Sequence, residues 1–270
     1  MADRKAMVVA ISGCSSSGKT TLSRLLRDIF PNTFILHEDD FYKTDKDIPM
    51  KNGVADWDCA EAIDIPAMTE AVAYVRQHGH VPPTLNSIED QNSVGACPVP
   101  EPLIAALKGK VSSALPAQHP LPAQHPLPAQ HPLPAQHPLL RPGLRLCLLD
   151  GFLLYSRSMA ALGRSLDVKV LLRASHARAK ARREARDGYV TLEGFWRDPP
   201  GYVDEVVWPN YVEEHAWLFE GGDVEGRYRE EVLREEGIRV PGGGALDADL
   251  AETLEWLVDI ILEELEKYKE

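Results

Sequence analysis

Gly13-Cys14-Ser15-Ser16-Ser17-Gly18-Lys19-Thr20 sets two glycines, a lysine and a hydroxyl in the spacing G-x-x-x-x-G-K-[ST]. Glycines let a backbone turn so that successive N–H groups point inward at phosphate oxygens. Lys19 is spaced to reach the β- and γ-phosphates as a point charge, and the Thr20 hydroxyl to ligate Mg²⁺. A helix opening near Lys19 adds its positive dipole end. The nucleotide-binding set is therefore Gly13 through Thr20, with Thr21 following. This is the chemistry of holding a nucleoside triphosphate.

Three further groups turn holding into transfer. Asp39-Asp40 follow a short apolar run, where a carboxylate can accept the proton of an attacking hydroxyl and hold Mg²⁺ or its waters. Asp150 ends the apolar run L-R-L-C-L-L, a position suited to a metal-directed carboxylate acting through water. Arg173 to Arg186 carries six Lys or Arg against one Glu in an otherwise acidic chain. Arg178, Arg182 and Arg186 are spaced i, i+4, i+8 and share a helix face, with Arg183 turned from it by about 100°. Such cations neutralise charge on a transferring phosphoryl group. The segment runs on to D-P-P-G-Y at Asp198 to Tyr202, which suggests a hinged lid over about 178–204. No N-K-x-D guanine-reading motif occurs, and the D-x-x-G at Asp223 to Gly226 follows no apolar strand, so a switch GTPase is disfavoured.

These groups need strands to aim them. Met7–Ser12 and Leu144–Leu149 read as buried strands, Phe34–Leu36 and Val168–Leu172 as shorter ones, and Ile238–Val240 as a last short one. Helical spacing covers Thr20–Phe30, Ile65–Gln77, Ser175–Arg186, Tyr211–Phe219 and Leu250–Tyr268, the last capped by Asp247 or Asp249. Buried strands alternating with helices predict an α/β fold: one parallel sheet of about five strands, helices on both faces and a helical lid. With 270 residues, we expect a single domain over 1–270. A Pro-rich insertion at about 96–142 interrupts it, built around four copies of L-P-A-Q-H-P at 115–138. Two prolines per repeat forbid helix and central strand. In polyproline II the four histidines would lie on one side but roughly 19 Å apart, too far to share one ion. The segment reads as low-complexity insertion.

Acidic residues outnumber basic ones, 41 to 29, for a net charge of −12. That argues against a broad nucleic-acid or anionic-membrane footprint. No apolar run approaches the ~20 residues that cross a bilayer, and no apolar leader is visible at residues 1–7. The four cysteines form no C-x-x-C and read as free thiols of a reducing compartment. The expected location is the cytoplasm, with the nucleus open as well; protein partners are not legible.

Taken together, these stretches resemble the nicotinamide riboside kinases, relatives of the uridine kinases among the P-loop kinases. The resemblance is carried by I-S-G-C-S-S-S-G-K-T-T at Ile11 to Thr21, H-E-D-D-F-Y-K at His37 to Lys43 and W-D at Trp57-Asp58. It continues with L-L-D-G-F at Leu148 to Phe152, R-R-E-A-R-D-G-Y at Arg182 to Tyr189, F-W-R-D-P-P-G-Y-V-D at Phe195 to Asp204 and G-D-V-E-G at Gly222 to Gly226. The resemblance implies ATP and Mg²⁺, and a small-molecule nucleoside phosphorylated at its 5′-hydroxyl. Nicotinamide riboside is the expected acceptor, with nicotinic acid riboside a further one. It implies Asp39 as proton acceptor near the metal, with Asp40 in the substrate set, and Thr20 and Asp150 as metal-directed groups. Tyr42 would flank the base, Trp57 and Asp58 would hold the nucleoside, and Arg183 and Tyr189 would contact it. Arg182 and Arg186 would face ATP, Arg186 and Lys19 acting in the transfer. Asp150 stands where some members carry Glu. The alternatives are a uridine or cytidine kinase and, in a different class, a nucleotide-binding interaction protein that displays the repeat.

Overall fold

The computed structural model describes residues 4–87, 96–115, 144–191 and 193–268. The chain runs β1 (Ala6–Gly13), α1 (Lys19–Ile29), β2 (Thr33–His37), β3 (Met50–Lys51), β4 (Val54–Ala55), α2 (Ile65–His78) and α3 (Glu101–Ala114). It continues with β5 (Arg145–Gly151), β6 (Val168–Leu172), α4 (His176–Glu184), β7 (Tyr189–Val190), β8 (Phe195–Trp196) and α5 (Trp208–His215). The chain closes with α6 (Glu230–Glu236), β9 (Ile238–Arg239) and α7 (Leu250–Glu266). Five strands form one parallel sheet in the order β2-β5-β1-β6-β9.

Alternation along β1 shows why helices must cover both faces. Ala6, Val8 and Ala10 enter one apolar core, with Met68, Val72 and Val75 of α2. Met7, Val9 and Ile11 enter the other, with Leu22, Leu26 and Ile29 of α1 and Leu254, Leu257 and Ile261 of α7. The two-residue period of a strand sends successive side chains to opposite faces, so a strand apolar throughout needs two covers. Register aligns the carboxyl ends: Ile11 and His37 both pair with Asp150, and Gly13 pairs with Leu172. The phosphate loop, the turn after β2 and the end of β5 therefore open on one edge, where parallel sheets bind ligands.

Three sequence expectations change, and one open choice, the cap of α7, is decided. The chain does not leave the body at about residue 96. Residues 101–114 form α3, whose Ile104, Leu107 and Val111 are buried beside α1 and α7. Pro100 caps that helix and Pro102 lies in its first turn, where a missing N–H costs nothing. Of the hexapeptide repeat, only Leu115 falls within the described residues. The lid is not helical throughout, because β7 and β8 pair as an antiparallel hairpin after α4. The predicted helix to Phe219 ends at His215, with a π-helical turn at Val203–Val207 before it and a 3₁₀ turn at Ala216–Leu218 after it. Asp249, not Asp247, caps α7, accepting from Ala251 and Glu252 N–H; Asp247 instead accepts from Ser175 N–H. Among the described residues no helix is long and apolar enough to cross a membrane.

Candidate active site

A cavity of about 500 Å³ opens at the carboxyl edge of the sheet. Its floor is the phosphate loop. Gly18 sits at φ +102°, and a Cβ there would lie 2.8 Å from Leu250 of α7. A Cβ on Gly13 would lie 2.4 Å from the Leu172 carbonyl. Both positions thus require glycine. Gly18 also sets the start of α1, whose N–H groups face the loop. Lys19 is buried, and its ammonium donates to the carbonyls of Gly13 and Cys14, 2.9 Å each, which pins it across the loop. Burial lowers the Lys19 pKa, while the charges of Asp150, Asp39 and Glu38 among others oppose that shift.

Ser15, Ser16, Gly18, Lys19, Thr20 and Thr21 line the cavity. Gly13, Cys14 and Ser17, also expected to bind the nucleotide, are not among the lining residues; the Cys14 thiol is buried against the Ala174 carbonyl at 3.9 Å, and burial pushes its pKa up. Asp39 lines the cavity from the single 3₁₀ turn Glu38–Phe41 that follows β2. Asp40 does not line it: its carboxylate accepts from Ser87 Oγ at 2.9 Å instead. Asp150 lines the cavity from the end of β5. Its Oδ1 accepts from His37 Nδ1 at 2.6 Å, and its buried Oδ2 has no hydrogen-bond partner. Such an orphaned oxygen in a cavity also lined by Asp39 and Thr20 offers hard oxygen donors that suit Mg²⁺, which takes one or two carboxylates and keeps several waters. Among the described residues there is no cluster of three or more His, Cys, Asp or Glu arranged for a metal. A closed zinc-type centre is therefore not what these residues form.

The opposite wall is aromatic and acidic. Tyr42 meets Trp57 edge-on at 5.3 Å and stacks with Phe152 at 6.5 Å. Asp58 is buried beside Trp57. Arg183 of α4 joins this wall to the floor. It grips Asp58 through two bonds of 2.6 and 2.9 Å, and Asp198 through two of 2.6 and 3.2 Å. It also donates to Ser15 Oγ at 3.0 Å. Burial works against the Arg183 charge, but the two carboxylates hold its pKa well above the ordinary range. Burial pushes the Asp58 carboxyl up, and the guanidinium opposes that. Arg182 donates to the Ser16 carbonyl at 3.2 Å, and Arg186 lies over Tyr189 at 5.2 Å. Arg182, Arg186 and Tyr189 all line the same cavity.

The sequence reading missed four contributors. Glu38 is fully buried; it accepts from Leu153 N–H at 3.1 Å, and burial pushes its carboxyl up to about 8. Phe152 and Trp196 line the cavity, and Asp198 completes the grip on Arg183. Phe152, Trp196 and Asp198 sit inside motifs already singled out, L-L-D-G-F and F-W-R-D-P-P-G-Y, but only tertiary folding brings them to the site.

A floor that cradles phosphates and a wall that offers carboxylate and indole, tied by one arginine, give room for donor and acceptor together. That arrangement, on a parallel sheet, is the plan of a P-loop kinase for small molecules. The nicotinamide riboside kinase of Schizosaccharomyces pombe is 37% identical over 268 residues, spanning 97% of this chain and 99% of that one. The enzyme of the same name from Saccharomyces cerevisiae is 32% identical over 84% of each chain. Human nicotinamide riboside kinase 2 is 27% identical over 85% of this chain and 78% of its own. The chain belongs to the nicotinamide riboside kinase family. No family model matches it.

Proposed function

We propose that this chain transfers the γ-phosphoryl group of ATP to the 5′-hydroxyl of nicotinamide riboside, giving nicotinamide mononucleotide and ADP. The observation that carries the reading is the Arg183 bridge, which ties the Asp58 carboxylate of the acceptor wall to Ser15 of the phosphate loop inside one cavity. Full-length likeness to kinases named for this nucleoside supports the choice of acceptor.

The residues divide the work as follows. Loop N–H groups and Lys19 hold the β- and γ-phosphates. Asp58 accepts hydrogen bonds from the ribose diol through lone pairs that Arg183 leaves open. Tyr42 and Trp57 pack against the base, and an aromatic face suits a pyridinium cation. Asp39 takes the 5′-hydroxyl proton as that oxygen bonds to the γ-phosphorus and the bond to the β–γ bridging oxygen breaks. Arg182 and Arg186 face the charge that builds on the transferring group. Thr20, with Asp39 and Asp150 through water, would hold Mg²⁺, which supplies charge neutralisation across the β- and γ-phosphates.

Steady-state ADP release with nicotinamide riboside, uridine and cytidine in turn tests the reading. A kcat/KM highest for nicotinamide riboside is the expected result. A higher value for uridine or cytidine would reassign the acceptor.

A further inference from the structure

The strap that carries Asp58 has an anchor outside the cavity. Strands β3 and β4 turn at Asn52 and Gly53, both at positive φ, and β4 leads straight into Asp56, Trp57 and Asp58. Asp56 and Asn210 of α5 are both buried, and neither lines the cavity. Asn210 Nδ2 donates to both Asp56 carboxylate oxygens, at 2.8 and 3.0 Å. Asp56 Oδ1 also accepts from the Asp58 backbone N–H at 3.1 Å. On its other side, Asn210 Oδ1 accepts from the Lys51 ammonium of β3. The three side chains form a relay from ammonium through amide to carboxylate, ending on the Asp58 backbone. Its polarity leaves the amide one orientation, since a flipped Asn210 would set Nδ2 against the ammonium and Oδ1 against the carboxylate. Tyr202 closes the strap from the lid side: its hydroxyl accepts from Trp57 N–H and donates to the Ala55 carbonyl, 3.0 Å each. Arg183 holds the Asp58 carboxylate, and the relay holds its backbone.

We propose that Asn210 is a positioning residue for the acceptor: through Asp56 it fixes the backbone of Asp58, and so the place at which the ribose diol is read. Buried polar groups that are fully paired specify one geometry, and an unmade bond among them is costly. The relay needs one acid and one amide facing each other, whichever position carries which. Asp56→Asn alone sets amide donors against each other or against the ammonium. Asn210→Asp alone sets carboxylate against carboxylate. With both changes, the acid at position 210 accepts from Lys51 and from the amide at position 56, whose oxygen again accepts from the Asp58 N–H. The inference rests on the acceptor site proposed above and concerns its ribose end rather than its base.

The test is a double-mutant cycle read by steady-state kinetics: wild type, Asp56→Asn, Asn210→Asp and the double variant, with nicotinamide riboside and ATP varied in turn. Wild type is measured first. If it phosphorylates uridine or cytidine instead, the acceptor reading fails and the same cycle runs on that nucleoside, because the relay acts through the ribose. A wild type that turns over none of them leaves nothing to position and overturns both. Each single variant should raise KM for the nucleoside about tenfold and KM for ATP by less than about twofold. The double variant should return to within about threefold of the wild-type KM. A purely structural role would lower Tm and the active fraction, hence kcat, with both KM values unmoved. That result overturns the proposal, as does a double variant no better than the poorer single variant. If a single variant does not fold, the double variant decides: folded with a near-wild-type KM, it bears the relay out; unfolded, or with KM raised about tenfold, it overturns the relay.

Discussion

Replacing Arg183 by methionine isolates the group that ties the acceptor wall to the phosphate loop. Its side chain is 6% exposed and faces Asp58 and Asp198, themselves 5% and 16% exposed. Methionine fills much of the volume but leaves the buried Asp58 and the half-buried Asp198 carboxylates without their cation. Breaking a buried pair from one side costs about 3–5 kcal/mol. For a chain of this size each kcal/mol shifts Tm by about 2–4 °C, so the variant should melt roughly 10 °C lower at pH 7. The deficit should also depend on pH in a definite direction. Burial already raises the Asp58 pKa, and losing the guanidinium raises it further. Below the unfolded carboxylate pKa of about 3.9 both states are protonated and the penalty vanishes. As pH rises above it, the unfolded chain ionises while the folded one resists, and the penalty grows. Thermal melts of the nucleotide-free protein at pH 7 and pH 5 measure this. A variant that melts within about 2 °C of wild type at pH 7, or whose deficit is larger at pH 5, refutes the reasoning.

Asp39→Asn keeps the shape and removes the proton acceptor; turnover should fall about a hundred- to ten-thousandfold with the nucleotide Kd little changed, read by single-turnover kinetics and nucleotide titration. Gly151→Ala would place a Cβ 1.9 Å from Glu38 Oε2 and 2.7 Å from Glu38 Cβ, so it should cost about 1–3 kcal/mol and displace the end of β5, lowering both Tm and kcat. Glu38 ionises near about 8 in the folded chain against an ordinary 4.5, so its folded-state stability is complete below pH 4.5 and is lost as pH rises toward 8. Glu38→Gln should therefore melt above wild type at pH 8 and alongside it at pH 4, and melts across that range check the sign.

Much of the architecture was legible because it is local. The phosphate loop, the uniformly apolar β1 and β5, and the stripe of α7 each carry their signal within a few residues. α3 was missed although Ile104, Leu107 and Val111 fall at i, i+3, i+7, because the neighbouring proline repeat suggested one continuous insertion. The strands of the two hairpins are two residues long, too short for any alternation to register. Sheet order is long-range and has no local signature: β1 lies between β5 and β6, which come more than a hundred residues later (residues 145–151 and 168–172). The same holds at the site. Asp58 and Arg183 were visible as chemistry, but their mutual grip spans 125 residues and needs the lid folded over the body, while the contact of Arg183 with Asp198, 15 residues on, needs the lid folded on itself.

The most direct test of the account is a competition in one tube. Nicotinamide riboside, nicotinic acid riboside, uridine and cytidine are supplied at equal concentration with limiting ATP and Mg²⁺, and the 5′-monophosphates are resolved by mass spectrometry. The account predicts nicotinamide mononucleotide as the main product, formed one for one with ADP. Uridine or cytidine monophosphate in excess, or ADP released without a nucleotide product, would contradict it.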